Sequence, residues 1–350
     1  MTAETIPEKL DRIARHGYPS SATVEVTARC NARCGYCYLQ DCSFKELSTE
    51  QLCAAIDKLS KSGVFHLHVT GGEPFLRPDI LDVLSFAFDH GIFQCTLFSN
   101  GILLNDKHRE FIVKNRDFFR DIQMSVFSHI PAINDRFLGV PGAFDAILKN
   151  ALFFKKNGLR VALALSLLDF NIDEMEKTRR FFEERNLPLL IAYFKIITSP
   201  RIESFAVAST TMAFFKRYLE NLRPEERGRL KQEMKNLLKL PPNHNEELCY
   251  GRWNTVFMNA QGDLAPCVSF RNVKFGNVFE QGSVHDILLA APEYHSICGF
   301  KKKDMKKCAA CKFFNFCTVC LGSIHSEKGS FCANNTQMCN FAHALYDILD

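Results

Sequence analysis

Between residue 21 and residue 198, short apolar runs of strand length alternate with longer stretches whose apolar residues recur at helical spacing. The strand candidates are TVEVT (23–27), VFHLHVT (64–70), IFQCTLF (92–98), DIQMSVF (121–127), RVALALSLL (160–168) and PLLIAYFKI (188–196). Helical periods fall near 48–61, 78–90, 106–117, 142–157 and 172–185. Ser48 with Gln51 three residues on fits a capping box, and Gly63, Gly91 and Gly158 stand where helices should stop. Six strand–helix repeats predict an α/β fold, a parallel sheet wound into a partial (β/α)6 barrel that need not close with eight strands.

The pattern then changes. TTMAFFKRYLENL and EERGRLKQEMKNLLKL read as amphipathic helices, split by Pro224 and ended by Pro241 and Pro242. They either line the substrate side of the barrel or join it to the next unit. From Cys249 onward helical periodicity is weak and short polar and aromatic segments lie between cysteines, so a domain of little regular secondary structure is expected, held by cross-links. The chain divides accordingly into a lead-in (1–22), a barrel (23–198), a helical bridge (199–248) and a cysteine-rich domain (249–350).

A length of 350 residues suffices for a barrel with a sizeable appendage. No run approaches the roughly 18–20 apolar residues of a membrane span, and the N-terminus lacks a signal-peptide core, so a cytoplasmic protein without a membrane partner is expected. The net charge of +4 is too small to imply nucleic acid. The basic run KKKDMKK (301–307) reads as a solvated loop, or as a surface for an acidic peptide or electron donor.

Cysteine changes the picture. Of 15, Cys30, Cys34, Cys37 and Cys42 sit near the start and nine lie between Cys249 and Cys339. An odd count in a long chain without a signal peptide favours metal over disulfides. CNARCGYC places Cys30, Cys34 and Cys37 just after the first strand. Three thiolates can ligate three irons of a cubane and leave the fourth iron for a reacting molecule. Cys42 is preferred as a free or structural thiol.

This spacing, with Tyr36 before the last cysteine and GGEP (71–74) directly after the second strand, resembles the signature of the radical S-adenosylmethionine superfamily. The resemblance implies that Cys30, Cys34 and Cys37 are the catalytic cluster ligands. It also implies that Tyr36, Gly71, Gly72, Glu73, Pro74, Ser99, Asn100 and Ser125 lie at the cofactor, with Glu73 accepting from the methionine ammonium. The implied chemistry is reductive cleavage of S-adenosylmethionine to a 5′-deoxyadenosyl radical that abstracts a substrate hydrogen.

Near the C-terminus, Cys249 and Cys267 flank a hairpin-like segment turned at Gly262 and Asp263, followed by Cys308, Cys311, Cys317, Cys320, Cys332 and Cys339. Spacing alone would suit zinc sites as well as cubanes. The layout resembles the SPASM extension, which implies two auxiliary [4Fe–4S] clusters, three per chain with the first. By position, Cys308, Cys311, Cys317 and Cys339 would bind one auxiliary cluster, and Cys249, Cys267 and Cys320 the other. Two departures stand out: residues 250–266 contain no further cysteine, and only two residues separate Cys317 from Cys320 where many relatives have three. The second cluster is therefore open, or completed by Cys332 or Cys298.

The family resemblance points to a maturase of ribosomally made peptides that forms a thioether or carbon–carbon cross-link or epimerises a residue. A flavodoxin or ferredoxin-type donor would supply electrons, and a separate protein would recognise the leader. Alternatives are a serine or cysteine oxidase like the anaerobic sulfatase activators, a dehydrogenase or epimerase of a sugar-like precursor, and a non-enzymatic electron carrier or zinc scaffold. Candidate bases and substrate contacts are His66, His68, Asp169, Lys195, Arg201, Tyr193 and Tyr38; for the two histidines, ordinary packing is the plain alternative.

Overall fold

In the computed structural model the described residues are 18–35, 37, 39, 44–192, 211–241, 243–245, 248, 255–297, 300–315, 317, 319–331, 333 and 336–349. Tyr36, Tyr38, Cys42, Tyr193, Lys195, Arg201, Cys249, Cys298 and Cys332 lie outside them.

Strands β1 (Ser21–Glu25), β2 (His66–Thr70), β3 (Gln94–Ser99), β4 (Phe119–Val126), β5 (Val161–Ser166) and β6 (Leu189–Ala192) lie side by side in chain order, each parallel to the next. Adding every strand on the same side of the last, through crossovers of one hand, puts the helices on one face and curls the sheet into a partial barrel. The connecting helices are α1 (Thr49–Lys61), α2 (Ile80–Asp89), α3 (Asp106–Lys114), α4 (Pro131–Leu138), α5 (Ala143–Lys156) and α6 (Met175–Glu183). The capping box at Ser48 and Gln51 forms, and Gly63, Gly91 and Gly158 all adopt positive φ just past helix ends. Helix α4 has no counterpart among the predicted helices; Pro131 opens it and left-handed Gly139 ends it.

The strands alternate in burial. Val24, Leu67, Val69, Leu97, Ile122, Met124, Leu163 and Leu165 are buried in the core, while Thr23, His68, Thr70, Phe98, Gln123, Ser125 and Ala164 are half-buried on the other face. Parallel strands covered on both faces read as continuous apolar runs. Here the period of two survives because the concave face lines a polar cavity.

Helix α7 (Met212–Glu220) touches both the barrel and the C-terminal helix. Its Arg217 pairs with Asp169 and Asp173 beside the barrel, and its Phe215 packs edge-on against Phe341 of α13 (Thr336–Asp347) with ring centroids 5.2 Å apart. Helix α8 (Pro224–Leu237) adds the pair Arg179–Glu226 at 2.8 Å. These two helices join the barrel to the C-terminal domain.

The predicted hairpin forms from β7 (Thr255–Met258) and β8 (Leu264–Ala265), with Gly262 at φ 84° in the turn. Strand β7 also pairs in parallel with β1, giving an eight-stranded sheet of order β6-β5-β4-β3-β2-β1-β7-β8. The cysteine-rich segment thus supplies the outer strands of the barrel's own sheet. Beyond it come short helices, α9 (Val284–Ala290), α10 (Pro292–Ile297), α11 (Lys306–Ala309), α12 (Leu321–Lys328) and α13, joined by irregular chain. No single helix among the described residues is long and apolar enough to cross a membrane.

Candidate active site

The C-terminal ends of the parallel strands open on a cavity of about 230 Å³. Cys30, Cys34 and Cys37 lie on its wall with Thr70, Gly71 and Gly72 from the end of β2, Phe98, Ser99 and Asn100 from β3, and Gln123, Ser125 and Ala164 from β4 and β5. Strand ends of an α/β sheet are where side chains from several strands converge, so residues distant in sequence meet here.

The cysteine loop is held from three sides. Parallel pairing of β1 with β2 continues past both strands: Val26 N–H donates to Thr70 O, Gly72 N–H to Thr27 O at 2.8 Å and Glu73 N–H to Arg29 O at 2.9 Å. A Cβ on Gly71 would meet Thr27 O at 2.3 Å, and one on Gly72 would meet Arg29 O at 2.1 Å. The two glycines are therefore required by the approach of the cysteine loop itself. Glu46 accepts from Thr27 Oγ1 and from Ala28 N–H at 2.8 Å, and Arg33 N–H donates to Leu138 O at the end of α4.

Glu73 sits beneath the glycines, fully buried and outside the cavity wall. Its carboxylate accepts from Phe75 N–H, Ser99 Oγ at 2.8 Å and Asn100 N–H at 2.7 Å. Burial pushes its pKa up to about 7 against these three donors. The carboxylate thus ties the GGEP turn to the end of β3. Asn100, placed by that tie, donates through Nδ2 to Asn31 Oδ1 at 2.7 Å and to Cys30 Sγ at 3.7 Å; Cys30 Sγ also accepts from Ala32 N–H.

The thiols suit a polynuclear group. Burial, then Cys37 and Cys30, pushes the Cys34 thiol up to about 12. Three cysteines that oppose one another's ionisation become thiolates readily only against bound cations. All three line one cavity.

A second cavity, of about 40 Å³, is lined by Cys308, Cys311, Cys317 and Cys339 with Lys302, Phe313 and Phe314. Cys308 lies in α11 and Cys339 in α13; Cys311 N–H donates to Cys308 O and Cys317 N–H to Phe313 O, folding the quartet into tight turns. Burial, then Cys339, Cys308 and Cys311, pushes Cys317 up to about 12. Cys267 and Cys320 cap a short 3-10 helix (Val268–Phe270) and α12, two elements that pack together, with Gly322 against Ser269. Cys249, their expected third partner, lies outside the described residues.

Other candidates stand apart. Pro74 does not line the cavity, and Asp169 is engaged by Arg217. His66 and His68 share the concave face: His66 Nε2 lies 2.9 Å from Thr96 Oγ1, its ring is 4.2 Å from that of His68, and His68 stacks on Phe98 of the cavity wall. Burial, then His68 and Arg120, lowers His66 to about 4. Gln123 and Thr70 escaped sequence reasoning, although each is a polar residue at an inward position, Gln123 two before Ser125 on β4 and Thr70 two after His68 on β2.

Residues 24–182 match the model of the Radical SAM superfamily, and residues 249–312 match SPASM, an iron–sulfur cluster-binding domain. Fe-coproporphyrin III synthase of Methanosarcina barkeri is 31% identical over 171 residues, 48% of this chain and 42% of that protein, so the match spans less than half of that relative. The subtilosin biosynthesis protein AlbA of Bacillus subtilis is 22% identical over 89% of this chain and 69% of its own length. An AdoMet-dependent heme synthase of M. barkeri is 24% identical over 91% of this chain and 96% of its own. The structure of Streptococcus suis SuiB bound to precursor peptide SuiA superposes with a TM-score of 0.73 at 19% identity, covering 94% of this chain and 78% of that one. The fold, the two cysteine-lined cavities and these matches agree: the chain carries a radical SAM domain over residues 24–182 and a SPASM iron–sulfur cluster-binding domain over residues 249–312.

Proposed function

We propose that the chain abstracts hydrogen from a residue of a ribosomally made peptide and so directs a thioether or carbon–carbon cross-link or an epimerisation. The observation that carries this reading is the cavity lined by Cys30, Cys34 and Cys37, whose wall also presents the neutral amide of Gln123 and the hydroxyl of Thr70, neither of them among the cofactor residues. Such groups both donate and accept, as the backbone of a peptide does. A cluster with S-adenosylmethionine, when bound, supplies a 5′-deoxyadenosyl radical.

The chain's own residues bind and orient. Cys30, Cys34 and Cys37 hold the cluster, with Tyr36 beside the last of them in sequence. Gly71, Gly72 and Pro74 shape the turn against the methionine end of the cofactor, Glu73 fixes that turn to β3, and Ser99, Asn100 and Ser125 present polar atoms to the cofactor. In the C-terminal domain Cys308, Cys311, Cys317 and Cys339 hold a second cluster, and Cys267 and Cys320 with Cys249 a third. A flavodoxin or ferredoxin-type protein is the proposed donor, and a separate protein the proposed leader-binding partner. AlbA, which takes part in subtilosin biosynthesis, and SuiB, seen with its precursor peptide, support a peptide substrate.

A second reading, a haem-type substrate, is favoured by the heme synthase whose length is matched almost throughout. Anaerobically reconstituted protein given reductant and S-adenosylmethionine is expected to release 5′-deoxyadenosine. With candidate peptides the expected product is a mass loss of two hydrogens, or an unchanged mass with altered chirality. Absence of the nucleoside would refute the radical reading; turnover of an iron porphyrin, followed by its Soret band, with inert peptides would replace the peptide by the second reading.

A further inference from the structure

Glu25, the last residue of β1, is completely buried, and its carboxylate accepts from Arg271 Nε at 2.9 Å and from the NH2 group at 3.1 Å, a two-point grip on a side chain only 14% exposed. A buried ion pair is a poor device for stability alone, because desolvating both charges costs about what their attraction returns and an apolar pair of similar shape serves as well. The position of this one explains it better than its energy. Glu25 stands opposite Thr70 in the β1–β2 ladder, and Thr70 lines the active cavity. In-register neighbours share a face, so the carboxylate looks toward the cavity side of the sheet.

Arg271 belongs to the other domain. It directly follows the 3-10 helix capped by Cys267. That helix packs on α12, capped by Cys320, so closely that a Cβ on Gly322 would lie 2.6 Å from Ser269 Cβ. Arg271 therefore moves with both C-terminal cysteines, while Glu25 moves with the strand that leads into the first cysteine loop. Glu25 ends β1 and the chain runs directly on into the loop of Cys30, Cys34 and Cys37, so the ion pair stands at the root of that loop.

We propose that Glu25 and Arg271 are a positioning pair that locks the barrel's cysteine loop to the C-terminal cluster domain and balances the charge felt at the Cys30, Cys34 and Cys37 site. The proposal rests on the reading of those cysteines as cluster ligands. Reduction adds negative charge to a cluster, and nearby protein charge shifts its potential. Arginine does not deprotonate in proteins, so removing the carboxylate leaves a fixed cation beside the site.

The test is a redox titration by electron paramagnetic resonance on anaerobically reconstituted full-length protein, following the cluster whose signal changes when S-adenosylmethionine is added. Glu25→Gln is expected to move its midpoint to more positive potential, Glu25→Asp to leave it near wild type, and the double variant Glu25→Gln with Arg271→Met to bring it back. A purely structural pair would shift the double variant at least as far as the single one, and that result, or an unmoved midpoint in Glu25→Gln, overturns the proposal. Should Glu25→Gln not fold, Arg271→Met is expected to shift the midpoint negatively when the titration is carried to alkaline pH, where the unpaired buried carboxylate is ionised, and a midpoint unmoved across that range overturns it equally. A wild-type chain with no responsive signal overturns the cluster assignment and the pair's role with it; a normal wild-type signal with unmoved variants overturns the pair alone.

Discussion

Gly72 leaves no space for even a methyl group, since its nearest neighbour is backbone that cannot swing away. Gly72→Ala is expected to force the cysteine loop outward, at a cost of about 1–3 kcal/mol, with a lowered melting temperature in cluster-free protein and less iron retained on reconstitution. Unchanged iron and melting would show that the loop yields freely. The need for glycine was legible in GGEP, but the group it approaches was not, because Arg29 is far away in sequence and meets Gly72 only through the β1–β2 pairing. Glu73 likewise looks from sequence like a ligand for an ammonium group, whereas three donors of the protein itself occupy its oxygens. His66 carries a pH signature. Its folded value of about 4 lies below the ordinary 6.5, so the unfolded chain takes up that proton first as pH falls. Stability is therefore expected to drop between about pH 6.5 and 4, and to drop less in His66→Asn when melting is followed across that window. Parallel slopes for the two proteins would remove His66 from the account.

At the level of elements, the alternation of apolar and polar positions located all six barrel strands and most helices, because a half-lined barrel keeps the period of two that a doubly covered sheet would lose. Helix α4 escaped it: PAINDRFL makes only about two turns and stands before the stronger period of α5. Its last carbonyl nevertheless holds the cysteine loop at Arg33. The junction of β1 with its loop depends on Arg77, 5% exposed, which donates to Val26 O and Leu47 O and pairs with Asp79. Arg77→Met is expected to cost roughly 3–5 kcal/mol, since it strands two buried carbonyls and a carboxylate together. Chemical denaturation of the cluster-free protein measures this; a loss under about 1 kcal/mol would mean that water or neighbouring groups replace the guanidinium.

For the whole molecule, Cys30, Cys34 and Cys37 line one cavity and Cys308, Cys311, Cys317 and Cys339 another, with Cys267 and Cys320 in neither, and the two cavities are expected to respond separately. Cys317→Ala should lower iron by about four atoms per chain while leaving formation of 5′-deoxyadenosine intact, because that thiol serves only the C-terminal quartet. Loss of nucleoside formation in this variant would instead tie the two sites into one unit. The four cysteines grouped by the SPASM resemblance line one cavity, three of them through short turns and Cys339 from α13, a grouping the cysteine spacings alone did not single out. Nor could those spacings foretell the pairing of β7 with β1, since the choice of an edge partner is a long-range event that local pattern does not encode. That pairing has a bearing on how the protein is made. Ser21 leaves the ribosome 234 residues before Thr255, its partner on β7. At about 5–20 residues per second, the outer edge of β1 waits roughly 12–47 s for its cover. For that interval a nascent chain carries an open strand next to Cys30, Cys34 and Cys37, and a chaperone or an early-bound cofactor has a physical reason to attend there first.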